Sequence, residues 1–152
     1  MKKRLITVFA MSVLLLSLFT NTANARPNAV CSGSNCNGID PQNSGCTAVT
    51  MAFKQKDGTS GSGTVQADLR YSSNCNSKWS RATNIYPGAI RKLRARLTDN
   101  SSAYLNVEPA YSSSSYAQLW TNMHSGSTAL CSIASQGLVG GSYDATTTPA
   151  CY

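Results

Sequence analysis

The sequence predicts a small, mainly β domain held together by disulfides, with about six or seven short strands arranged as a sandwich or a small barrel. Two observations lead to this fold class. Six cysteines occur in a short chain of 152 residues, and from residue 47 onward short apolar stretches alternate with turn residues. Only 12% of the residues are charged, so Ser, Thr, Asn and Gly must fill many surface positions.

The first 25 residues have the features of a cleaved secretory signal peptide. Lys2, Lys3 and Arg4 provide the basic start, residues 5–19 are nearly all apolar, and Ala23-Asn24-Ala25 provides small residues for cleavage after Ala25. An uncleaved anchor is the alternative, but the apolar run is shorter than the roughly 20 residues that span a bilayer. We therefore expect residues 26–152 to form one secreted, extracellular domain with no membrane span after cleavage.

The cysteines are expected to form three disulfides, because an even number in a small exported protein usually indicates covalent cross-linking. They are Cys31, Cys36, Cys46, Cys75, Cys131 and Cys151. Three lie in a Gly-, Asn- and Ser-rich region with almost no apolar periodicity, so cross-links are expected to order it. Six cysteines allow fifteen pairings. We expect one short-range bridge within residues 31–46 and one bridge between Cys131 and Cys151.

The strands are predicted from alternation and from turn residues. In residues 64–71, Val65, Ala67, Leu69 and Tyr71 alternate with polar residues, which is the clearest strand pattern in the chain. Residues 90–97 fit either a helix or a strand, and we favour a strand. The other predicted strands are residues 47–55, 79–85, 103–107, 116–123 and 128–134, followed by a Gly-rich tail that Cys151 ties down.

Several short motifs together resemble the YjfA-like family of small secreted bacterial domains, a family of unknown function. The matching residues are Cys36-Asn37-Gly38-Ile39-Asp40-Pro41, Gly45-Cys46, Asp68-Leu69-Arg70-Tyr71-Ser72, Cys75, Trp79-Ser80-Arg81, Trp120-Thr121-Asn122-Met123 and Cys131. Some relatives carry the domain behind a helix-turn-helix domain and a membrane segment, which implies an extracytoplasmic binding module. The chain departs from the family at Thr47-Ala48, where Asp-Ala is common, and at Asp68, where Glu is common.

Two groups of residues are candidates for ligand binding. The first is Arg70, Trp79 and Arg81, for which the alternative is structural: Trp79 buries area, and Arg70 or Arg81 pairs with Asp40 or Asp68. The second group is Lys92, Arg94 and Arg96, named here the cationic stripe. On a strand these three point the same way and suit an anionic polymer, while the alternative is a solvated face or a charged edge strand.

Catalytic and metal sites find little support in the sequence. There is one histidine, His124, so a site of several imidazoles is excluded, and disulfide-bonded cysteines do not ligate zinc. No Gly-x-Ser-x-Gly motif marks a nucleophile, although a Ser-His-Asp arrangement or a carboxylate pair stays formally possible. The oxygen-rich residues 35–43 fit turn chemistry better than a calcium loop. We expect no enzyme activity, no cofactor and no metal.

These observations favour a non-catalytic binding module for ligands of the cell envelope or the extracellular space. The expected partner is an anionic cell-wall polymer or an extracellular protein, and nucleic acid is an unlikely partner. The first alternative is a secreted inhibitor or antibacterial factor, whose mark would be an exposed Cys-braced loop with one anchor residue. A small hydrolase is the lesser alternative and requires His124 or an acid pair in a concave pocket.

Overall fold

The fold is mainly β, as predicted. The computed structural model describes residues 29–58, 63–85, 91–99, 104–112 and 117–152, with only the backbone described in 104–112. The predicted signal peptide, residues 1–25, lies outside the described residues. In the described part of the chain, no helix is long and apolar enough to cross a membrane.

Two antiparallel sheets of five strands each contain all ten strands of the described residues. The strands are β1 (Val49–Asp57), β2 (Thr64–Ser72), β3 (Ser77–Asn84), β4 (Arg91–Thr98), β5 (Tyr104–Ser112), β6 (Ala117–Trp120), β7 (His124–Ser125), β8 (Cys131–Leu138), β9 (Ala145–Thr146) and β10 (Ala150–Cys151). The first sheet has the order β1-β2-β3-β6, with β7 paired to β3. The second sheet has the order β10-β8-β4-β5, with β9 paired to β8. Two short 3-10 turns, Gly33–Cys36 and Pro41–Asn43, precede the strands.

The core lies between the two sheets, which pack face to face as a sandwich. Val65, Ala67 and Leu69 point inward from β2, and Leu93, Ala95 and Leu97 point inward from β4; all six are fully or almost fully buried. Because side chains alternate along a strand, the residues between them in sequence lie on the outer faces of the sandwich. Asp68, Arg70 and the cationic stripe are therefore placed on outer faces.

The seven predicted strands correspond in order to the seven strands of four or more residues. The strand interpretation of residues 90–97 is confirmed by β4, whose neighbours are β5 and β8. The eighth strand extends beyond the predicted end at residue 134 and reaches Leu138. Gly137 is needed there because a Cβ atom at this position would collide with the backbone carbonyl of Ser142. A residue typical of turns is thus part of a strand, because the next chain segment passes close to its backbone.

Three disulfides close the fold: Cys31–Cys36, Cys46–Cys75 and Cys131–Cys151. The first is the expected short-range bridge, and the third is the expected C-terminal bridge. The second bridge joins the N-terminal region to the turn between β2 and β3. No free cysteine is present in the described residues, which contain all six.

Candidate functional site

The N-terminal region 29–46, named here the Cys-rich segment, packs on the outer face of the first sheet. Its anchors are backbone hydrogen bonds: Gly33 N donates to Cys75 O (2.7 Å), Gly38 N to Met123 O (3.0 Å), and Met123 N to Ile39 O (2.9 Å). Beneath it, Cys36, Cys75, Trp79 and Met123 form a second buried apolar cluster. The Cys46–Cys75 bridge fixes the end of the segment, so its position on the sheet is set covalently as well as by packing.

A concave pocket of about 280 Å³ lies where the Cys-rich segment meets the outer face of the first sheet. We name it the Trp–Arg pocket, and its lining residues are Pro41, Gln42, Arg70, Trp79, Arg81, Gln118 and Trp120. Strand register explains the assembly, because Arg70 is the cross-strand partner of Trp79, and Arg81 is the cross-strand partner of Trp120. The pocket thus contains all three residues of the first predicted group.

Arg81 is held in place by a buried carboxylate. Its Nη2 lies 2.7 Å and its Nε 2.8 Å from the same carboxylate oxygen of Asp68, whose side chain is 1% exposed. Gln66 Nε2 donates a further hydrogen bond of 2.8 Å to Asp68. The sequence left open whether Arg70 or Arg81 pairs with Asp40 or Asp68. The structure shows that Arg81 pairs with Asp68.

Arg70 binds only neutral acceptors among the described residues. Its Nη1 donates to the Thr50 hydroxyl (2.6 Å), and its Nη2 donates to the Ala48 carbonyl (2.8 Å). Burial is the main cause that lowers the pKa of Arg70; the neighbouring Arg81 cation lowers it further, and Asp68 raises it. The side chain is therefore a partly desolvated cation whose own hydrogen-bond partners carry no charge.

The two tryptophans of the sequence both line this pocket, and they differ in exposure. Trp79 is 7% exposed and packs in the cluster beneath the Cys-rich segment. Trp120 is half-buried, and its indole N–H donates to Asp40 Oδ1 (3.2 Å). Asp40 also accepts from the Gln42 backbone N–H (2.9 Å), so one carboxylate orients both an indole ring and the turn that carries Gln42.

The cationic stripe lies on the outer face of the second sheet and is partly covered by Tyr143. The Lys92 Nζ and the Arg94 guanidinium both lie 4.2 Å from the centre of the Tyr143 ring. Lys92 also donates to the Gly141 carbonyl, and Arg96 donates to the Ser135 hydroxyl (3.4 Å). The three cations share one face, as predicted, and each also contacts groups of the protein itself.

A second cavity, of about 340 Å³, is lined by Met51, Tyr71, Lys78, Gly126 and Tyr152. Its cation is already bound internally, because Lys78 Nζ donates to the carbonyls of Thr128 (3.0 Å) and Tyr152 (3.3 Å). The Trp–Arg pocket brings together more convergent polar groups and both indoles. It is therefore the stronger candidate of these two for a ligand site.

His124 and the cysteine sulfurs do not line the Trp–Arg pocket. His124 is the register partner of Lys78, whereas the pocket uses Trp79 and Arg81 of the same strand. The sulfur atoms of Cys31, Cys36, Cys46 and Cys75 lie within 4.8 Å of one another, but they form two adjacent disulfides. Zinc binds thiolates, so the cluster in this oxidised state is a cross-link and not a ligand set.

Sequence reasoning missed the contributions of Gln42, Gln118 and Trp120 to the pocket. In the sequence, Trp120 stands out only as part of the Trp120-Thr121-Asn122-Met123 motif. The pairing of β3 with β6 places Trp120 beside Arg81 and Gln118 beside Thr83, although 39 and 35 residues separate the partners. No local pattern in the sequence indicates that pairing.

A family model described as "Protein of unknown function (DUF2690)" matches residues 34–136. The chain belongs to the DUF2690 family. The matched part includes both tryptophans and both arginines of the pocket, as well as the whole of the cationic stripe. Membership in DUF2690 carries no assigned activity. No curated protein and no solved structure matches the chain.

Proposed function

We propose that this DUF2690 protein is a secreted, non-catalytic binding module and that the Trp–Arg pocket is its ligand site. The proposal rests on one observation: two indoles, two guanidinium groups and two side-chain amides line the same pocket on one sheet face. Small-ligand sites usually combine aromatic side chains with convergent polar groups, and here four of the seven lining residues are polar or charged. The resemblance to the YjfA-like secreted domains supports the same interpretation.

The pocket is well suited to binding because its walls are held before a ligand arrives. Asp68 fixes Arg81, Asp40 orients Trp120, and the Cys46–Cys75 bridge secures the segment that carries Pro41 and Gln42. A preorganised site loses less side-chain entropy when a ligand binds. Three disulfides also suit an oxidising, extracellular environment, where the expected ligands are envelope components or other extracellular molecules.

The Cys-braced loop supports the binding-module interpretation over the inhibitor interpretation. Between Cys31 and Cys36, the exposed side chains are those of Ser32, Ser34 and Asn35. These are small and polar, whereas an inhibitor loop generally presents one large or charged anchor residue to its target. The aromatic and cationic side chains suited to ligand recognition lie instead in the Trp–Arg pocket.

Retention of the oxidised protein on purified cell wall, on whole cells and on supernatant proteins tests the proposal. Trp120→Ala removes a pocket wall, and the matched control replaces Lys92, Arg94 and Arg96 together by Ser on the other sheet. We expect retention on wall or cells that falls at least about tenfold in Trp120→Ala and stays unchanged in the triple variant. Far-UV circular dichroism and urea unfolding test whether both variants fold.

The opposite pattern, with loss only in the triple variant, would move the binding site to the cationic stripe and overturn the assignment of the pocket. Capture of one discrete supernatant protein, undiminished by Trp120→Ala, would favour an inhibitor or antibacterial factor instead. Turnover of any wall polymer or substrate protein by the oxidised protein would contradict the non-catalytic part of the proposal.

A further inference from the structure

The charge balance of the Trp–Arg pocket indicates which ligands it takes. Two guanidinium groups line it, and two carboxylates border it: Asp68 pairs with Arg81 and is 1% exposed, and Asp40 accepts from the Trp120 indole and the Gln42 backbone. Asp68 offers Oδ2 to Arg81 and accepts from Gln66 at Oδ1, so both of its oxygens are used. Arg70 is left with neutral partners at Thr50 and Ala48.

Arg70 is partly buried, its hydrogen-bond partners are neutral, and the Asp68 carboxylate that raises its pKa is hydrogen-bonded to Arg81, so an anion in the pocket would add a direct counter-charge. Desolvation and the Arg81 cation both lower the pKa of Arg70, and an incoming anion would oppose both effects. The guanidinium has five N–H donors, and Arg70 uses one from each terminal nitrogen on its protein partners. Donors therefore remain for a carboxylate, which guanidinium binds by charge-assisted hydrogen bonds.

The rest of the pocket suits a polar ring and not an extended apolar body. Trp120 offers a half-buried indole, on whose electron-rich face the C–H groups of a sugar ring can stack. Gln42 and Gln118 are exposed residues of the lining, and an amide both donates to and accepts from hydroxyl groups. The pocket, of about 280 Å³, is shallow and open to solvent, so one ring can enter it while the rest of a chain stays outside.

We propose that the Trp–Arg pocket binds a single carboxylate-bearing pyranose residue of an extracellular polysaccharide, with the carboxylate at Arg70, the ring on Trp120 and the hydroxyl groups at Gln42 and Gln118. This inference rests on the proposed function, since it assigns a ligand class to the same site. Two sources share this chemistry, namely uronic acids and muramic acid residues whose carboxyl group carries no peptide.

Intrinsic fluorescence of the oxidised protein gives a direct titration, because the only two tryptophans in the sequence both line the pocket. The probes are two matched pairs: glucuronic acid with glucose, and N-acetylmuramic acid with N-acetylglucosamine. Glucose 6-phosphate serves as a phosphorylated comparison. We expect at least one acidic sugar to bind about tenfold tighter than its neutral partner, as expected for a charge-assisted contact. Which pair responds distinguishes the two sources.

The decisive variant is Arg70→Gln, with Arg70→Lys and Arg96→Gln as companions. Arg70→Gln should remove the preference for the acidic sugar, so that the ratio of its two affinities falls from about ten to about one. Arg70→Lys keeps the charge without the planar fork and should lose part of the preference. Arg96→Gln removes a cation from the other sheet and should change nothing. Urea unfolding of each variant separates a binding effect from a folding effect.

Three results would overturn the inference. Equal affinity for acidic and neutral sugars in the wild-type protein would show that the pocket does not recognise a carboxylate. Binding of glucose 6-phosphate alone would show that it recognises a phosphate group instead. If no sugar changes the fluorescence while Trp120→Ala still abolishes retention on cell wall, the ligand class is wrong and the proposed binding site stands. If no sugar binds and Trp120→Ala is retained normally, both proposals fail together.

Discussion

The outer faces of the two sheets both carry cations, but they use them differently. On the first sheet, Arg81 lies against a buried carboxylate and Arg70 against neutral acceptors, and both line a concave pocket beneath the Cys-rich segment. On the second sheet, Lys92 and Arg94 lie against the ring of Tyr143. Basic and aromatic residues thus meet on both faces; on the first they line the Trp–Arg pocket, and on the second an aromatic ring lies directly over two of the cations.

The difference teaches that a basic-aromatic pattern is not by itself a binding surface. An aromatic ring laid over two cations satisfies them and covers them at the same time. Two indoles set beside two guanidinium groups, with a third segment as a wall, leave room between them. The Cys-rich segment supplies one wall of the Trp–Arg pocket. The disulfides that hold this segment therefore provide the strongest test of the difference between the two faces.

The largest expected effect comes from removing disulfides. Replacing both Cys46 and Cys75 by Ser should lower the free energy of unfolding by about 3.5 kcal/mol, and replacing both Cys131 and Cys151 should lower it by about 3 kcal/mol, from their loop lengths in the chain-entropy model. The sequence separations are 29 and 20 residues. Urea unfolding measures both values.

The two double variants should nevertheless differ at the pocket. Loss of Cys46–Cys75 frees the segment that carries Pro41 and Gln42, so acrylamide should quench the tryptophans more strongly. Loss of Cys131–Cys151 leaves that segment tied down, and quenching should stay close to that of the wild-type protein. Equal quenching in the two variants would show that packing alone holds the pocket wall.

The second effect compares one ion pair on each sheet. Asp68→Asn should cost about 2 kcal/mol of unfolding free energy, because it removes the charge of a buried carboxylate paired with Arg81 at 2.7 Å. Asp144→Asn is the matched change, since the Asp144 side chain is 23% exposed and its contact with Arg91 is 3.9 Å long. It should cost less than Asp68→Asn, because 3.9 Å is too long for the direct hydrogen bond that Asp68 makes with Arg81, although the Arg91 side chain is itself only 4% exposed.

Urea unfolding measures whether Asp68→Asn loses more unfolding free energy than Asp144→Asn. A larger loss for Asp144→Asn would contradict this prediction and would place the more important ion pair on the second sheet. Asp68→Asn should also weaken ligand binding at the pocket, since Asp68 orients Arg81, whereas Asp144→Asn should not.

The sequence predicted the fold class well because burial between two sheets leaves a period of two in the chain. Val65, Ala67 and Leu69 show this period, and all three are fully buried in the structure. The same pattern did not reveal β8 beyond Ala134, since Ser135, Gln136 and Gly137 are polar or small. They are buried because β9 and the Ser142 backbone lie against them, a tertiary effect that local periodicity does not record.

Only some of the pocket residues could be predicted from the sequence. Arg70, Trp79 and Arg81 stand close together in the chain and on adjacent strands, so one hairpin brings them together. Trp120 reaches them through the pairing of β3 with β6, and Gln42 through the path of the Cys-rich segment. The Cys46–Cys75 pairing behind that path is one of many combinations that spacing alone allows. Long-range pairing therefore accounts for most of what the sequence did not predict.

The smallest expected effect is also the sharpest test of the covered stripe. Tyr143→Leu removes the ring over Lys92 and Arg94, and the loss of two cation–π contacts should cost about 1 kcal/mol of unfolding free energy. Retention on an anionic matrix such as heparin should rise, because the two cations become more accessible to the matrix. This added retention should fall with added salt. Tyr143→Phe keeps the ring and should match the wild-type protein in both measurements. If Tyr143→Leu folds but its heparin retention is unchanged, the ring does not restrict these cations, and the second face would then be as open to anionic polymers as the sequence pattern suggested.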